Sequence, residues 1–120
     1  MAADVHGIDP NKFGITKVGT HTVLIPKGSL TFENRKDFDG AIQKLVDENQ
    51  ILIILDCKAV EFLDSEALEE LVETHDELAA QGGSLKIVGL NTVCRDILIV
   101  TRLINVFNIY SDVPEAVKSR

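Results

Sequence analysis

The sequence predicts an α/β fold: a mixed β-sheet of four to five strands packed by about four α-helices, in the order β-β-α-β-α-β-α-β-α. Three observations predict it. Two strand-like stretches flank a glycine turn near the start. The run Ile51-Leu52-Ile53-Ile54-Leu55 is apolar on both faces, as in a central strand covered from two sides. Beyond it, segments of helical and strand period take turns almost to the end.

Phe13-Gly14-Ile15-Thr16-Lys17-Val18 alternates apolar and polar residues, the pattern of a half-buried strand. Gly19-Thr20 is a tight turn, and His21-Thr22-Val23-Leu24-Ile25-Pro26 completes a hairpin. Pro26 has no N–H for a ladder, so the second strand stops there. Phe38, Ala41, Ile42, Leu45 and Val46 recur at helical spacing opposite Asp37, Lys44, Asp47 and Glu48. The central strand covers residues 51–57. A second helix starts near Ser65, with Leu68, Leu71, Val72, Leu78 and Ala79 as its apolar side, and Gly82-Gly83 stops it. Residues 84–89 form the next strand. Asn91 or Thr92 then caps a helix that runs to about Leu103. Residues 106–110 are a short last strand, and Asp112 opens a terminal helix with Pro114 in its first turn. Residues 1–12 read as a flexible N-terminal lead-in, and residues 13–120 as a single domain.

The chain has 120 residues, 45% of them hydrophobic and 26% charged, which is enough apolar material for a folded core. Twelve Lys and Arg against nineteen Asp and Glu give a net charge of −7. That charge argues against direct DNA or RNA binding, which needs a basic patch, and against an anionic membrane surface. No apolar run approaches the ~20 residues of a spanning helix. The start of the chain lacks a secretory pattern, so the expected compartment is the cytoplasm. Cys57 and Cys94, each within an apolar stretch, read as buried thiols.

Catalytic and metal readings fail on spacing. Ser65 and His75 lie ten residues apart on one helix, about 15 Å along its axis at ~1.5 Å per residue, far beyond a hydrogen bond. His75 reads as a packed side chain. His6 and His21 lack a partner at metal-ligand spacing. Asp37, Asp39 and Glu48 match three positions of a calcium loop, but Ile42 stands where the loop needs glycine. Gln81-Gly82-Gly83-Ser84-Leu85-Lys86 lacks P-loop spacing. No catalytic residue, metal site or cofactor is therefore expected.

The distinctive stretch is Val60-Glu61-Phe62-Leu63-Asp64-Ser65-Glu66-Ala67-Leu68, at the entry to the second helix. Asp64 or Ser65 caps that helix by accepting a backbone N–H. A hydroxyl at a helix N-terminus is also well placed for phosphorylation, because free N–H groups and the positive dipole end tolerate a phosphate. The two roles are compatible.

From the apolar strand ending in Asp56, through Phe62-Leu63-Asp64-Ser65 and its helix, to Gly82-Gly83 and the strand ending Val88-Gly89, the order resembles the STAS domain. Within that family it resembles the bacterial anti-sigma factor antagonists. Gly28-Ser29-Leu30 and the segment Leu103 to Val113 add to the likeness, which covers residues 13–119. The resemblance implies a STAS-type fold and a partner switch. The residue after the aspartate of the motif, here Ser65, is the phosphoacceptor. The unmodified form binds an anti-sigma factor, often itself a serine kinase of GHKL type. Phosphorylation releases it, and a metal-dependent serine phosphatase restores binding. The expected partner-binding residues are Asp64, Ser65, Glu66, Glu69, Ser29 and Thr31, although Ser29 and Thr31 also suit capping of the first helix. Two departures stand out. Glu66-Ala67 replaces the small residue and glycine that often follow the acceptor, and Gly28-Ser29-Leu30 runs into Thr31-Phe32, where many members carry an acidic residue two positions after the leucine. The acidic second helix, with Glu66, Glu69, Glu70, Glu73, Asp76 and Glu77, reads as a solvated face whose first turns steer a basic partner. The alternatives are a constitutive STAS scaffold that is never phosphorylated, in a signalling or transporter-associated complex, and a small-ligand-sensing STAS module.

Overall fold

The computed structural model describes residues 7–119. His6 and the first half of the expected lead-in lie outside the described residues. Within the other half, Ile8 is buried in the core. Strands β1 (Phe13–Val18) and β2 (His21–Pro26) form the antiparallel hairpin. Next come α1 (Arg35–Asp47), β3 (Leu52–Asp56), α2 (Ser65–Ala80), β4 (Ser84–Val88), α3 (Thr92–Val100), β5 (Asn108–Tyr110) and α4 (Val113–Lys118). The element order is the predicted one. The five strands lie side by side in chain order, and every pair after the hairpin is parallel.

Strand period sorts the core onto two faces. Leu24, Ile53, Leu55, Leu85 and Ile87 point to one side. There they meet Phe38, Ala41, Ile42 and Leu45 of α1, Ala67, Leu71 and Leu78 of α2, and Cys94 and Leu98 of α3. Val23, Ile54 and Val88 point to the other side, where Ala116 of the short α4 covers them. Both cysteines are free and buried, and burial pushes the Cys57 thiol well up from its ordinary range, helped by Cys94 and Asp56.

The helix ends show why some sequence boundaries shifted. In α2 the C-cap is Gln81, Gly82 has φ +83°, and Gly82 and Gly83 N–H donate to Ala79 and Leu78 O. This is the two-bond glycine stop that was predicted. Two other helices use the same turn without glycine, at Asn49 (φ 61°) and Arg102 (φ 65°). Arg102 therefore ends α3 at Val100, short of the expected Leu103, with Leu103 N–H folding back onto Leu98 O. The next turn occupies residues 103–106, so the last strand starts at Asn108, not at residue 106. The buried stripe of α2 also differs from the prediction. It runs Ala67, Glu70, Leu71, Thr74 and Leu78, while Leu68 and Val72 are only partly buried and Ala79 is exposed. His75 packs its ring edge against Phe107, at 5.8 Å between centroids.

Polar side chains also enter the α4 face. Lys86, in the middle of β4, is 6% exposed. Its Nζ donates to the carbonyls of Ala116 (2.8 Å) and Ser119 (2.9 Å) and lies 5.8 Å from the centre of the Tyr110 ring. A cation at the C-terminal end of a helix satisfies carbonyls that have no partner within the helix. His21, also buried, places Nε2 3.4 Å from that Nζ, and its Nδ1 has no partner among the described residues. Burial lowers the pKa of His21 first, and the charges of Lys86 and Lys17 lower it further.

Two tests follow from this packing. A Cβ on Gly83 would sit 2.1 Å from the carbonyl oxygen of Ile51, whereas one on Gly82 meets nothing within 4 Å. Gly83→Ala is expected to cost about 2–4 kcal/mol in urea unfolding, and Gly82→Ala only about 1 kcal/mol from its positive φ. The second test concerns acid. The unfolded chain takes up the His21 proton at higher pH than the folded one, so this stabilisation is complete above about pH 6.5 and is lost as pH falls through the folded value. Relative to His21→Gln, the wild type should lose stability between pH 7.5 and 5, read as the urea midpoint.

Candidate functional site

Three loops meet where the parallel strands β2, β3 and β4 end, and side chains fasten them together. Asp64 is the N-cap of α2, and its Oδ1 accepts the N–H of Ala67 at 2.9 Å. Its Oδ2 accepts the N–H of Phe32, also at 2.9 Å, from the loop before α1. Asp64 N–H donates to Leu30 O, next to the bridge between Leu30 and Leu63. Ser29 Oγ accepts the N–H groups of Glu61 and Phe62 at 3.2 Å each. Asn91, the N-cap of α3, donates through Nδ2 to Val60 O and Glu61 O.

This frame presents Ser65. It is the first residue of α2 and is exposed, and its hydroxyl has no hydrogen bond among the described residues. Asp64 has taken the capping role, which leaves Ser65 free for another. Two large apolar side chains stand open nearby: Phe32 is 67% exposed and Phe62 47%. Phe62 lines an open groove of about 530 Å³, together with Lys12, Lys27, Thr31 and Asn34 among others. An exposed hydroxyl and two exposed rings thus stand on one hydrogen-bonded base.

The other expected partner residues have intramolecular work. The Ser29 hydroxyl bonds the loop before α2, while its carbonyl accepts from Nδ2 of Asn34 at 2.8 Å. Thr31 Oγ1 accepts the N–H of Glu33, and the N-cap of α1 is Asn34, so neither Ser29 nor Thr31 caps that helix. Glu66 and Glu69 are exposed but paired. Arg35, the first residue of α1, donates through Nη1 to both, at 2.7 and 2.6 Å. Its Nε donates to Glu70 at 3.1 Å and its Nη2 to Glu73 at 3.2 Å. These bonds, to Glu69 first, raise the pKa of the guanidinium still further.

The expectation of a wholly solvated acidic face is thus corrected. Glu70 lies within the buried stripe, with a 5% exposed side chain, and Thr74 Oγ1 is 3.4 Å away. Burial, with Asp39 nearby, pushes its pKa up to about 7 against the opposing Arg35 bond. Sequence reading missed the parts played by Arg35, Glu70 and Phe32, and it gave Asn91 its cap but not its bonds to Val60 and Glu61. The signal for Glu70 was its spacing from Ala67, Leu71 and Thr74, the true inner stripe. No helix among the described residues is long and apolar enough to cross a membrane.

The sequence profile of the STAS domain matches residues 12–116. TM1081 from Thermotoga maritima, named as a candidate anti-sigma factor antagonist, is 25% identical, with 88% of this chain and 92% of that one covered and a TM-score of 0.83. An anti-sigma factor antagonist from Mycobacterium paratuberculosis is 22% identical, with 89% and 91% covered and a TM-score of 0.79. The anti-sigma factor antagonist SpoIIAA in its unphosphorylated form is 16% identical, with 88% and 94% covered and a TM-score of 0.66. No curated protein matches the sequence at a significant level.

Glu70 supplies a test of the site. Its folded carboxyl keeps a proton to higher pH than the ordinary 4.5. The stability it contributes is complete below about pH 4.5 and fades as pH rises through about 7. Relative to Glu70→Gln, the wild type is expected to lose on the order of 2 kcal/mol between pH 4.5 and 8, measured by urea unfolding.

Proposed function

The chain belongs to the STAS domain family, and on that premise we propose that it is an anti-sigma factor antagonist switched by phosphorylation of Ser65. The exposed, unbonded hydroxyl of Ser65, on a helix already capped by Asp64, carries this reading. Similarity to TM1081 over most of both chains supports the antagonist role. In the unmodified state the Ser65 face, with Phe32 and Phe62, docks on an anti-sigma factor, which thereby lets go of its sigma factor. That anti-sigma factor is a serine kinase of GHKL type. It transfers the terminal phosphoryl group of ATP to Ser65 Oγ; the hydroxyl proton leaves and ADP departs. A metal-dependent serine phosphatase hydrolyses the ester and returns the hydroxyl. The chain is a substrate and a binder in this cycle, not an enzyme, and it works in the cytoplasm.

The energetics place the switch at the interface. The stability of the fold changes little: the dipole of α2 favours a phosphate at its N-terminus by ~0.3–1 kcal/mol. Exposed Glu61 and Glu66 oppose it by screened amounts of similar size. A partner pocket shaped to a neutral hydroxyl must instead desolvate a group of about −1.5 to −2 charges. Lost complementarity of that kind costs ~2–5 kcal/mol.

The test is capture by wild type and Ser65→Asp in parallel, with bound proteins identified by mass spectrometry. Wild type is expected to hold a GHKL-type ATPase at least about tenfold better than the variant. Equal capture of the same proteins by both baits would overturn the switch and leave a constitutive scaffold.

A further inference from the structure

We propose that Arg35 is the internal counter-ion of phosphorylated Ser65, so that the modification rearranges the seam between α1 and α2. This rests on the Ser65 reading above. Geometry brings the starts of the two helices together. Phe32 donates to Asp64, the residue before Ser65, so the start of α1 lies against the start of α2. Ser65 and Glu69 are four residues apart on α2, neighbours at about 5–6 Å between Cβ atoms. Arg35 Nη1 already touches Glu66, next to Ser65, and Glu69, one turn on.

The donors of Arg35 are unequally held. Nε rests on the buried carboxylate of Glu70. Nη1 is divided between two carboxylates that are 51% and 61% exposed. One guanidinium thus serves four carboxylates, and a divided bond to solvated groups is the easiest to exchange. A phosphoserine offers nearly two charges and three strong acceptor oxygens, and the arginine fork pairs with phosphate more strongly than with a solvated carboxylate. Nη1 therefore moves to the phosphate while Nε stays on Glu70. Glu66 and Glu69 lose their cation. Phosphorylation then alters charge along the first two turns of α2 as well as at Ser65. It also ties the phosphate to the helix that follows the Phe32 loop.

The experiment uses the full chain with phosphoserine built in at position 65 during synthesis, so neither kinase nor partner is present. Phosphorus NMR at about 0.15 M salt, where charges beyond ~8 Å are screened, reads the second pKa of the phosphate. Asp64, Glu66, Glu69 and Glu73 raise that value, whereas a paired Arg35 lowers it. The value is expected to be about half a pH unit lower in wild type than in Arg35→Gln. Lys36→Gln, which removes an exposed cation one residue away, should leave it unchanged. Equal values in the wild type and Arg35→Gln, or equal shifts from both substitutions, would overturn the proposal. Should Arg35→Gln not fold, the guanidinium proton signals of Arg35 in the modified and unmodified wild type decide the matter. They move on phosphorylation if the pair forms, and unmoved signals refute it. A negative result leaves the partner switch standing, because that reading fails by a different outcome, equal capture by wild type and Ser65→Asp.

Discussion

The architecture of the candidate face depends on one carboxylate. Asp64 holds the N–H of Ala67 with one oxygen and the N–H of Phe32 with the other. The first bond fixes where α2 begins, and so makes Ser65 its first residue. The second fixes the loop before α1 against that beginning. An aspartate can do both because an ionised carboxylate only accepts, at two separate oxygens. Asparagine would keep the first bond and offer an N–H to the second donor. Ser29 and Asn91 extend the same joinery to the neighbouring loops. Apart from the cap on Ala67, these bonds run between segments about thirty residues apart in sequence, so the face exists only once the sheet has formed.

Most of the fold was legible because local chemistry and global packing agree. Strand period in residues 84–88 and the two-faced run at 52–55 say directly which side chains meet which layer. Asp64, Asn91 and Asp112 each cap the helix that the sequence places after them. The misreadings have a common origin in residues whose type disguises their place. Arg102 takes a left-handed conformation that glycine or asparagine would have announced. Glu70 is a carboxylate in a position that its spacing gives to the core. Serine and threonine in the Ser29–Thr31 loop suit many local turns, and only the third dimension shows that Ser29 bonds residues 61 and 62.

The site itself was half legible. Ser65 and Asp64 announce themselves by residue type at a helix start. The state of the acidic residues around them does not, because it depends on a cation thirty-one residues before Glu66. A count of charges treats Glu66, Glu69, Glu70 and Glu73 alike. In the fold they differ: one is buried and holds a proton near neutrality, and three lie at the surface around a shared guanidinium. The acidity of this helix is organised by packing, and its net charge alone would mislead about what a partner meets.

Lys86 has a consequence for the chain during its synthesis. The α4 face of the sheet carries Val23, Ile54 and Val88, and its cover follows all five strands in sequence. Until α4 arrives, that apolar surface is bare, and bare sheet surfaces are where nascent chains stick to one another. A lysine at the centre of the patch keeps it hydrated, because another sheet could cover it only by stranding an ammonium. The carbonyls of Ala116 and Ser119 remove that obstacle for the proper cover alone. The residue that anchors α4 is thus also a gatekeeper, admitting its own helix and turning strangers away.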